Sequence, residues 1–145
     1  MAENIKTAQA VWEGHGLAFT VQGGSGYTLR TDSPSGPAAG SAMELVAMAS
    51  AACTAADVIS ILQKKQQQVT GFEVRVAGVR AEEHPKVFTA IELEYVVTGH
   101  GVDPKAVERA IELSLSKYCS VNQMLNKAVT IEHRYRIVEA EPVTA

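Results

Sequence analysis

The alternation of hydrophobic and polar residues predicts six short strands. The last three show a clear period of two, with apolar side chains on one face and charged ones on the other. This pattern is typical of antiparallel sheets that expose one face to water. The first three are shorter runs separated by glycine-rich turns. The predicted strands are 9–12, 17–21, 27–31, 72–76, 87–97 and 129–138.

A long helix is predicted over residues 43–66, which are rich in Ala, Leu and Met and contain no Gly or Pro. Ser41 is in position to serve as its N-cap. The helix is apolar on nearly every side as far as Leu62, so we expect most of it to be buried. One sheet cannot bury all sides of a helix, so a second sheet or a second subunit must cover its back.

Two shorter helices are predicted between the last two strands. The first starts with Asp103 as N-cap and Pro104 at the first helical position, and it runs to about residue 118. The other covers 121–127, with Ser120 as its cap. This order of strands and helices indicates an α+β fold. A chain of 145 residues with no linker or repeat predicts a single domain over 1–145.

The charge and hydropathy of the chain argue against nucleic acid and membranes as binding partners. The net charge is −3, and no basic stripe or polybasic helix offers a surface for nucleic acid or membrane. The N-terminus lacks the pattern of a secretory signal. Ser50, Thr54 and Asp57 interrupt the longest apolar stretches, which we expect to be shorter than the ~20 residues that span a bilayer. These features favour a cytoplasmic protein.

The two cysteines are the residues most able to carry chemistry. Cys53 lies in the middle of the long helix, close to its only polar stripe, Ser50, Thr54 and Asp57. Cys119 lies just after a helix end. Each could be a small packed residue, and the sequence alone does not say that they meet. In the cytosol a disulfide between them would be transient or catalytic.

The remaining polar residues suggest no other site. His133 lies on the apolar face of the last strand, where a hydrogen-bonded core histidine is the simplest interpretation. No spacing resembles a zinc site, a phosphate loop or a nucleophile elbow. We therefore expect no metal and no cofactor.

Several segments together resemble the OsmC/Ohr family, and most closely its OsmC-like branch. The resemblance extends over about residues 10–137 and includes both cysteines. The matching segments are MEL at 43–45, ACT at 52–54, DVISIL at 57–62, RAEEHPKVFT at 80–89, ERAIELS at 108–114 and KYCSV at 117–121.

The resemblance implies an intertwined homodimer in which antiparallel sheets wrap around long apolar central helices. It also implies reduction of organic hydroperoxides, an antioxidant activity, with Cys53 as the peroxidatic thiol and Cys119 as the resolving thiol. An external dithiol would reduce the resulting disulfide, and no metal or flavin is required.

Family members also use an arginine near the peroxidatic thiol and a glutamate that orients this arginine. The family's glutamate falls at Met43, so the adjacent Glu44 is the candidate in this chain. Arg30 is the candidate arginine. We expect Cys53, Cys119, Glu44 and Arg30 to form the catalytic site.

Two other functions fit the same pattern of elements. The first is a non-catalytic dimer that binds an apolar ligand, with Cys53 only lining the site. The second is a hot-dog thioesterase, in which antiparallel sheet also wraps a long apolar helix. A thioesterase would need a catalytic carboxylate opposite the helix and would assign no role to either cysteine.

Overall fold

The computed structural model describes residues 4–33 and 40–142. Its elements confirm the predicted α+β class and the predicted order of strands and helices. In chain order they are β1 (Ala8–Trp12), β2 (Phe19–Gly23), β3 (Thr28–Thr31), α1 (Ala42–Lys64), β4 (Gln68–Arg80), β5 (Phe88–His100), α2 (Pro104–Leu113), a π-helical turn (Ser114–Tyr118), α3 (Ser120–Leu125) and β6 (Thr130–Glu139).

The chain divides into two compact units, Met1–Val46 and Ala47–Ala145. The first unit contains an antiparallel sheet in the order β1–β2–β3. Among the described residues of this unit only Ala18 is buried, and every strand residue is at least partly exposed. Ser41 is the N-cap of α1, as expected, because its Oγ accepts a hydrogen bond from the Glu44 backbone N–H at 3.4 Å.

The second unit contains a sheet in the order β4–β5–β6. β4 and β5 are antiparallel, but β5 and β6 are parallel, so the expectation of a purely antiparallel sheet was wrong for β6. The reason is the connection between β5 and β6, which includes α2, the π-helical turn and α3. A crossover of that length brings the chain back to start beside the same end of the sheet.

The core of the second unit lies between β5 and the helices. Residues at every second position of β5 are buried, and they include Ile91, Leu93, Tyr95 and Val97. This confirms the predicted period of two. α1 contributes one buried stripe at four-residue spacing, formed by Ser50, Thr54, Val58 and Leu62.

The rest of α1 is not buried within the single chain, contrary to the expectation that most of this helix would be. Met48, for example, is 50% exposed. An 18-residue window of α1 has a mean hydropathy of 1.9, so by length and composition the helix could cross a membrane. Of the residues in this window, 22% are buried within the chain. The expectation that its apolar stretch would be too short was therefore wrong. Core helices of soluble proteins give the same result, and Ser50, Thr54 and Asp57 of α1 are hydrogen-bonded to other elements of the protein.

Candidate functional site

Cys53 lies about three turns from the start of α1 and is half-buried. Its Sγ is 4.0 Å from the Oγ of Ser120, the first residue of α3. The Cys53 side chain therefore faces the segment that joins the π-helical turn to α3.

Cys119 is fully buried at the junction between the π-helical turn and α3. Its backbone N–H donates to the Ser114 carbonyl at 2.7 Å, a bond across five residues that closes the π-helical turn. Cys119 is also the N-cap of α3, because its Sγ accepts from the Asn122 backbone N–H at 3.4 Å. The expected cap was Ser120, which instead is the first helical residue.

The two thiols are neighbours, which the sequence could not establish. Burial raises the pKa of Cys119 to about 11, and the neighbouring Cys53 side chain contributes to the increase. Hydrogen bonds from Asn122 act in the opposite direction. Cys119 is therefore a neutral thiol at physiological pH, positioned against the Cys53 side chain.

A chain of hydrogen bonds lies beside the thiols and uses two members of the predicted polar stripe. Thr54 Oγ1 is 2.7 Å from both Tyr95 Oη and Ser114 Oγ, and Ser114 Oγ donates to Asp57 Oδ2 at 2.9 Å. Because Ser114 gives its only proton to Asp57, Thr54 must donate to Ser114 and Tyr95 must donate to Thr54. The chain thus runs from Tyr95 on β5 to the Asp57 carboxylate. Burial raises the pKa of Tyr95 to about 12, so its hydroxyl stays protonated.

Ser50, the third member of the stripe, is bonded to the segment that follows Cys119. Its Oγ donates to Asn122 Oδ1 at 2.6 Å, and its carbonyl accepts from Asn122 Nδ2 at 3.1 Å. The same Nδ2 donates to Cys119 Sγ at 3.1 Å. Ser50 and Asn122 therefore join α1 to α3 next to the cysteine pair.

Arg30 forms an ion pair in the first unit, but with Glu13 and not with Glu44. Its Nη2 and Nε bond the two Glu13 carboxylate oxygens at 2.6 Å and 2.9 Å. The hydrogen bond from Arg30 lowers the pKa of Glu13 to about 2. Glu44 is exposed in the first turn of α1, with its carboxylate beside Gly40.

The sequence analysis did not identify Glu13 or Asn122. Glu13 follows β1 directly, and the strand register brings Arg30 opposite Thr20, whose Oγ1 also donates to Glu13 at 3.1 Å. Recognising this pair would have required the register of three strands. Asn122 follows Cys119 by one helical turn, and this spacing was the only signal in the sequence.

His133 is exposed, so the prediction of a core histidine was wrong for the single chain. It lies on β6, the edge strand of the sheet among the residues that the structure describes. Within residues 4–33 and 40–142, no group of three or more His, Cys, Asp or Glu side chains could hold a metal ion.

A recess of about 350 Å³ opens beside the polar chain. Its lining includes Asp57, one helical turn after Cys53 on α1, and Tyr118, which precedes Cys119 in the chain. Its lining combines apolar and polar side chains: Asp57, Ser60, Ile61, Lys64, Leu113 and Tyr118. A small molecule with an apolar body would fit such a space.

A protein-family model and a known protein sequence both match most of this chain. The model of the family described as OsmC-like protein matches residues 34–134. Protein YhfA of Escherichia coli strain K12 is 48% identical over 125 residues, which cover 86% of this chain and 93% of YhfA.

Solved structures share the fold over most of the chain. A hypothetical protein from Aquifex aeolicus VF5 is 29% identical with a TM-score of 0.82, covering 95% of this chain and 99% of that one. The organic hydroperoxide resistance protein OhrB of Bacillus subtilis has a TM-score of 0.61 at 14% identity, covering 91% of this chain and 98% of that one. At that identity the likeness to OhrB shows a common fold.

Proposed function

Because the chain belongs to the OsmC-like protein family, we propose that it is a cytoplasmic thiol-dependent peroxidase that reduces organic hydroperoxides. Cys53 is the peroxidatic thiol and Cys119 the resolving thiol. The observation that carries the proposal is that the two cysteines, which come from separate elements of the fold, lie near each other: Cys53 Sγ is 4.0 Å from the Oγ of Ser120, the residue after Cys119. OhrB, which has the same fold, is an organic hydroperoxide resistance protein, and this adds support to the proposal.

The chemistry proceeds in three steps. The Cys53 thiolate attacks the outer oxygen of ROOH, the O–O bond breaks, and the alkoxide leaves as ROH after taking up a proton. Cys53 is then a sulfenic acid. The Cys119 sulfur attacks the Cys53 sulfur and forms the disulfide, and hydroxide leaves as water with the proton from Cys119. An external dithiol reduces the disulfide through a mixed disulfide and is itself oxidised.

The different environments of the two thiols support these roles. A peroxidatic cysteine must meet its substrate. Cys53 is half-buried, and Asp57, one helical turn further along α1, lines a recess that suits an organic molecule. A resolving cysteine should not react with peroxide first. Cys119 is fully buried and its pKa is raised to about 11, so it stays protonated and sheltered until the Cys53 sulfenic acid forms.

Arg30 is the proposed cation that stabilises the Cys53 thiolate. A guanidinium that is held in place loses less freedom on binding an anion than a mobile one. Two hydrogen bonds from Arg30 to Glu13 provide that restraint in the first unit. We therefore assign the orienting role to Glu13, and Glu44 stays as the alternative candidate named from the family pattern.

The proposed assembly is an intertwined homodimer. The exposed apolar side chains of the isolated chain support it, because soluble monomers seldom leave large apolar patches uncovered. No strand residue of the β1–β2–β3 sheet is buried, and Trp12 is 57% exposed. The exposed side of α1 adds Met48 and several alanines to the uncovered surface.

Peroxide consumption by purified variants tests the proposal. With cumene hydroperoxide and dithiothreitol, the wild type should turn over, Cys53→Ser should be inactive, and Cys119→Ser should lose sustained turnover. Gln63→Ser introduces the same side chain at the exposed end of α1 and should behave like the wild type. A wild-type protein that consumes no peroxide, or a Cys53→Ser protein that still does, would contradict the proposal. Hydrolysis of acyl-CoA that persists in Cys53→Ser would favour the thioesterase instead.

A further inference from the structure

The Asn122 side chain is 1% exposed and every hydrogen-bonding atom of its amide has a partner. Oδ1 accepts from Ser50 Oγ at 2.6 Å. Of the two protons on Nδ2, one is directed to the Ser50 carbonyl at 3.1 Å and the other to Cys119 Sγ at 3.1 Å. The backbone N–H of Asn122 reaches the same sulfur at 3.4 Å.

The orientation of this amide follows from its partners. The Ser50 carbonyl can only accept a hydrogen bond, so the amide atom facing it must be the nitrogen. The second proton of that nitrogen is thereby directed at Cys119. Two donors on one residue thus converge on a single buried sulfur. A neutral thiol is a weak acceptor, whereas a thiolate accepts strongly, so both donors gain strength when Cys119 ionises.

We infer that Asn122 is a catalytic residue of the resolving step: its amide stabilises negative charge on Cys119 Sγ as that sulfur attacks the Cys53 sulfenic acid. The inference rests on the proposed function. The same donors stabilise Cys119 as the leaving thiolate when an external dithiol attacks the disulfide at Cys53. Ser50 is the positioning residue, because it holds the amide in the orientation that presents Nδ2 to the sulfur.

Such stabilisation is needed because of where Cys119 lies. Burial and the neighbouring Cys53 side chain both raise the pKa of Cys119, and hydrogen bonds from Asn122 oppose them. Preorganised donors directed at a developing charge in a site without water lower a barrier by much more than the same groups in solvent. Loss of the amide should therefore slow disulfide formation and leave the peroxide step unchanged.

The test compares Ser50→Ala with the double variant Ser50→Ala/Asn122→Leu. The single variant keeps both donors to Cys119. The double variant removes the Nδ2 donor without leaving the Ser50 hydroxyl unpaired, so its fold should tolerate the change. Rapid-mixing measurements follow the formation of the Cys53 sulfenic acid and its conversion to the disulfide over a range of pH.

Both proteins should form the sulfenic acid at the same rate. Conversion to the disulfide should be about tenfold slower in the double variant, as expected for loss of a hydrogen bond to a charged group. The pH at which conversion accelerates should shift upward, and more Cys53 should become over-oxidised. Equal conversion rates and equal pH profiles in the two proteins would overturn the role of Asn122. A wild type that forms no disulfide would overturn the proposed function itself.

A second measurement does not depend on peroxidase activity. In Cys53→Ser protein, the pH dependence of the Cys119 Cβ chemical shift reports the ionisation of this thiol alone. Adding the Ser50→Ala/Asn122→Leu pair removes the Nδ2 donor without introducing a charge beside the thiol, so the pKa of Cys119 should rise further. Gln123→Ala is the control, because Gln123 bonds the Leu115 carbonyl and neither thiol. An unchanged pKa after adding Ser50→Ala/Asn122→Leu would contradict the inference.

Discussion

At the residue scale, the proposed activation of Cys53 depends on Arg30. In Cys119→Ser protein, which leaves Cys53 as the sole thiol, Arg30→Ala should slow iodoacetamide alkylation at neutral pH about tenfold, because the thiolate loses its stabilising cation. Arg109→Ala removes an arginine that pairs with Glu112 on α2 and serves as the control. Equal alkylation rates in the parent and Arg30→Ala would show that Arg30 does not activate the thiol.

The carboxylate that orients Arg30 can be identified in the same assay. Glu13→Gln should slow alkylation of Cys53, though less than Arg30→Ala, because the guanidinium remains but loses its ion pair. Glu44→Gln is the comparison, since its carboxylate lies beside Gly40. A larger effect of Glu44→Gln than of Glu13→Gln would show that Glu44, and not Glu13, orients Arg30.

Cys119 should also make stability depend on pH. Its folded pKa of about 11 lies above the ordinary value of 9.0. Above pH 9 the unfolded chain therefore loses this proton before the folded protein does, and the free energy of unfolding falls as the pH rises toward 11. The expected loss is about 2 kcal/mol at most. Urea denaturation between pH 7 and 11 should show a smaller decline in Cys119→Ser. An equal decline in both proteins would contradict the assignment.

Both cysteines and the polar stripe around Cys53 could be found from the sequence, because helical periodicity determines which neighbours share a face. The sequence could not show that the two cysteines lie near each other. This proximity depends on how α1 packs against the end of the π-helical turn, which local patterns do not encode. Glu13 and Asn122 were missed for the same reason, since the sequence does not distinguish a functional polar residue in a turn or a short helix from one that is simply exposed to solvent.

At the scale of elements, the chain from Tyr95 to Asp57 ties α1 to β5 and to the π-helical turn. Thr54→Val keeps the shape of the side chain but leaves the Tyr95 hydroxyl without its acceptor. We expect this change to lower the free energy of unfolding by about 1–3 kcal/mol. Thr54→Ser retains the hydroxyl and should cost much less. Urea denaturation measures both, and equal losses would show that packing of the methyl group dominates.

The strands and helices themselves were predicted well, because strong periodicity and a clear cap at Asp103 identify them. The direction of β6 was predicted wrongly. A period of two shows which face of a strand is apolar, but it does not show whether the strand pairs in parallel or antiparallel. Burial of α1 was overestimated for one chain. The helix is as apolar as predicted, but only the stripe Ser50, Thr54, Val58 and Leu62 is covered by its own unit.

At the scale of the whole molecule, the uncovered side of α1 and the open β1–β2–β3 sheet predict a dimer. Sedimentation velocity at micromolar concentration should show a single species of twice the chain mass. Met48→Glu places a charge on the exposed side of α1 and should weaken the dimer. Gln63→Glu, at the polar end of the same helix, is the control. A folded wild-type monomer under these conditions would contradict the proposed assembly.

The central claim is that Cys53 and Cys119 work as a redox pair, and peptide mapping by mass spectrometry tests it most directly. Protein treated with an equimolar amount of cumene hydroperoxide should yield a peptide pair linked by a Cys53–Cys119 disulfide. In Cys119→Ser the same treatment should leave Cys53 as a sulfenic acid or a higher oxide. Recovery of both thiols intact after excess hydroperoxide would contradict the claim.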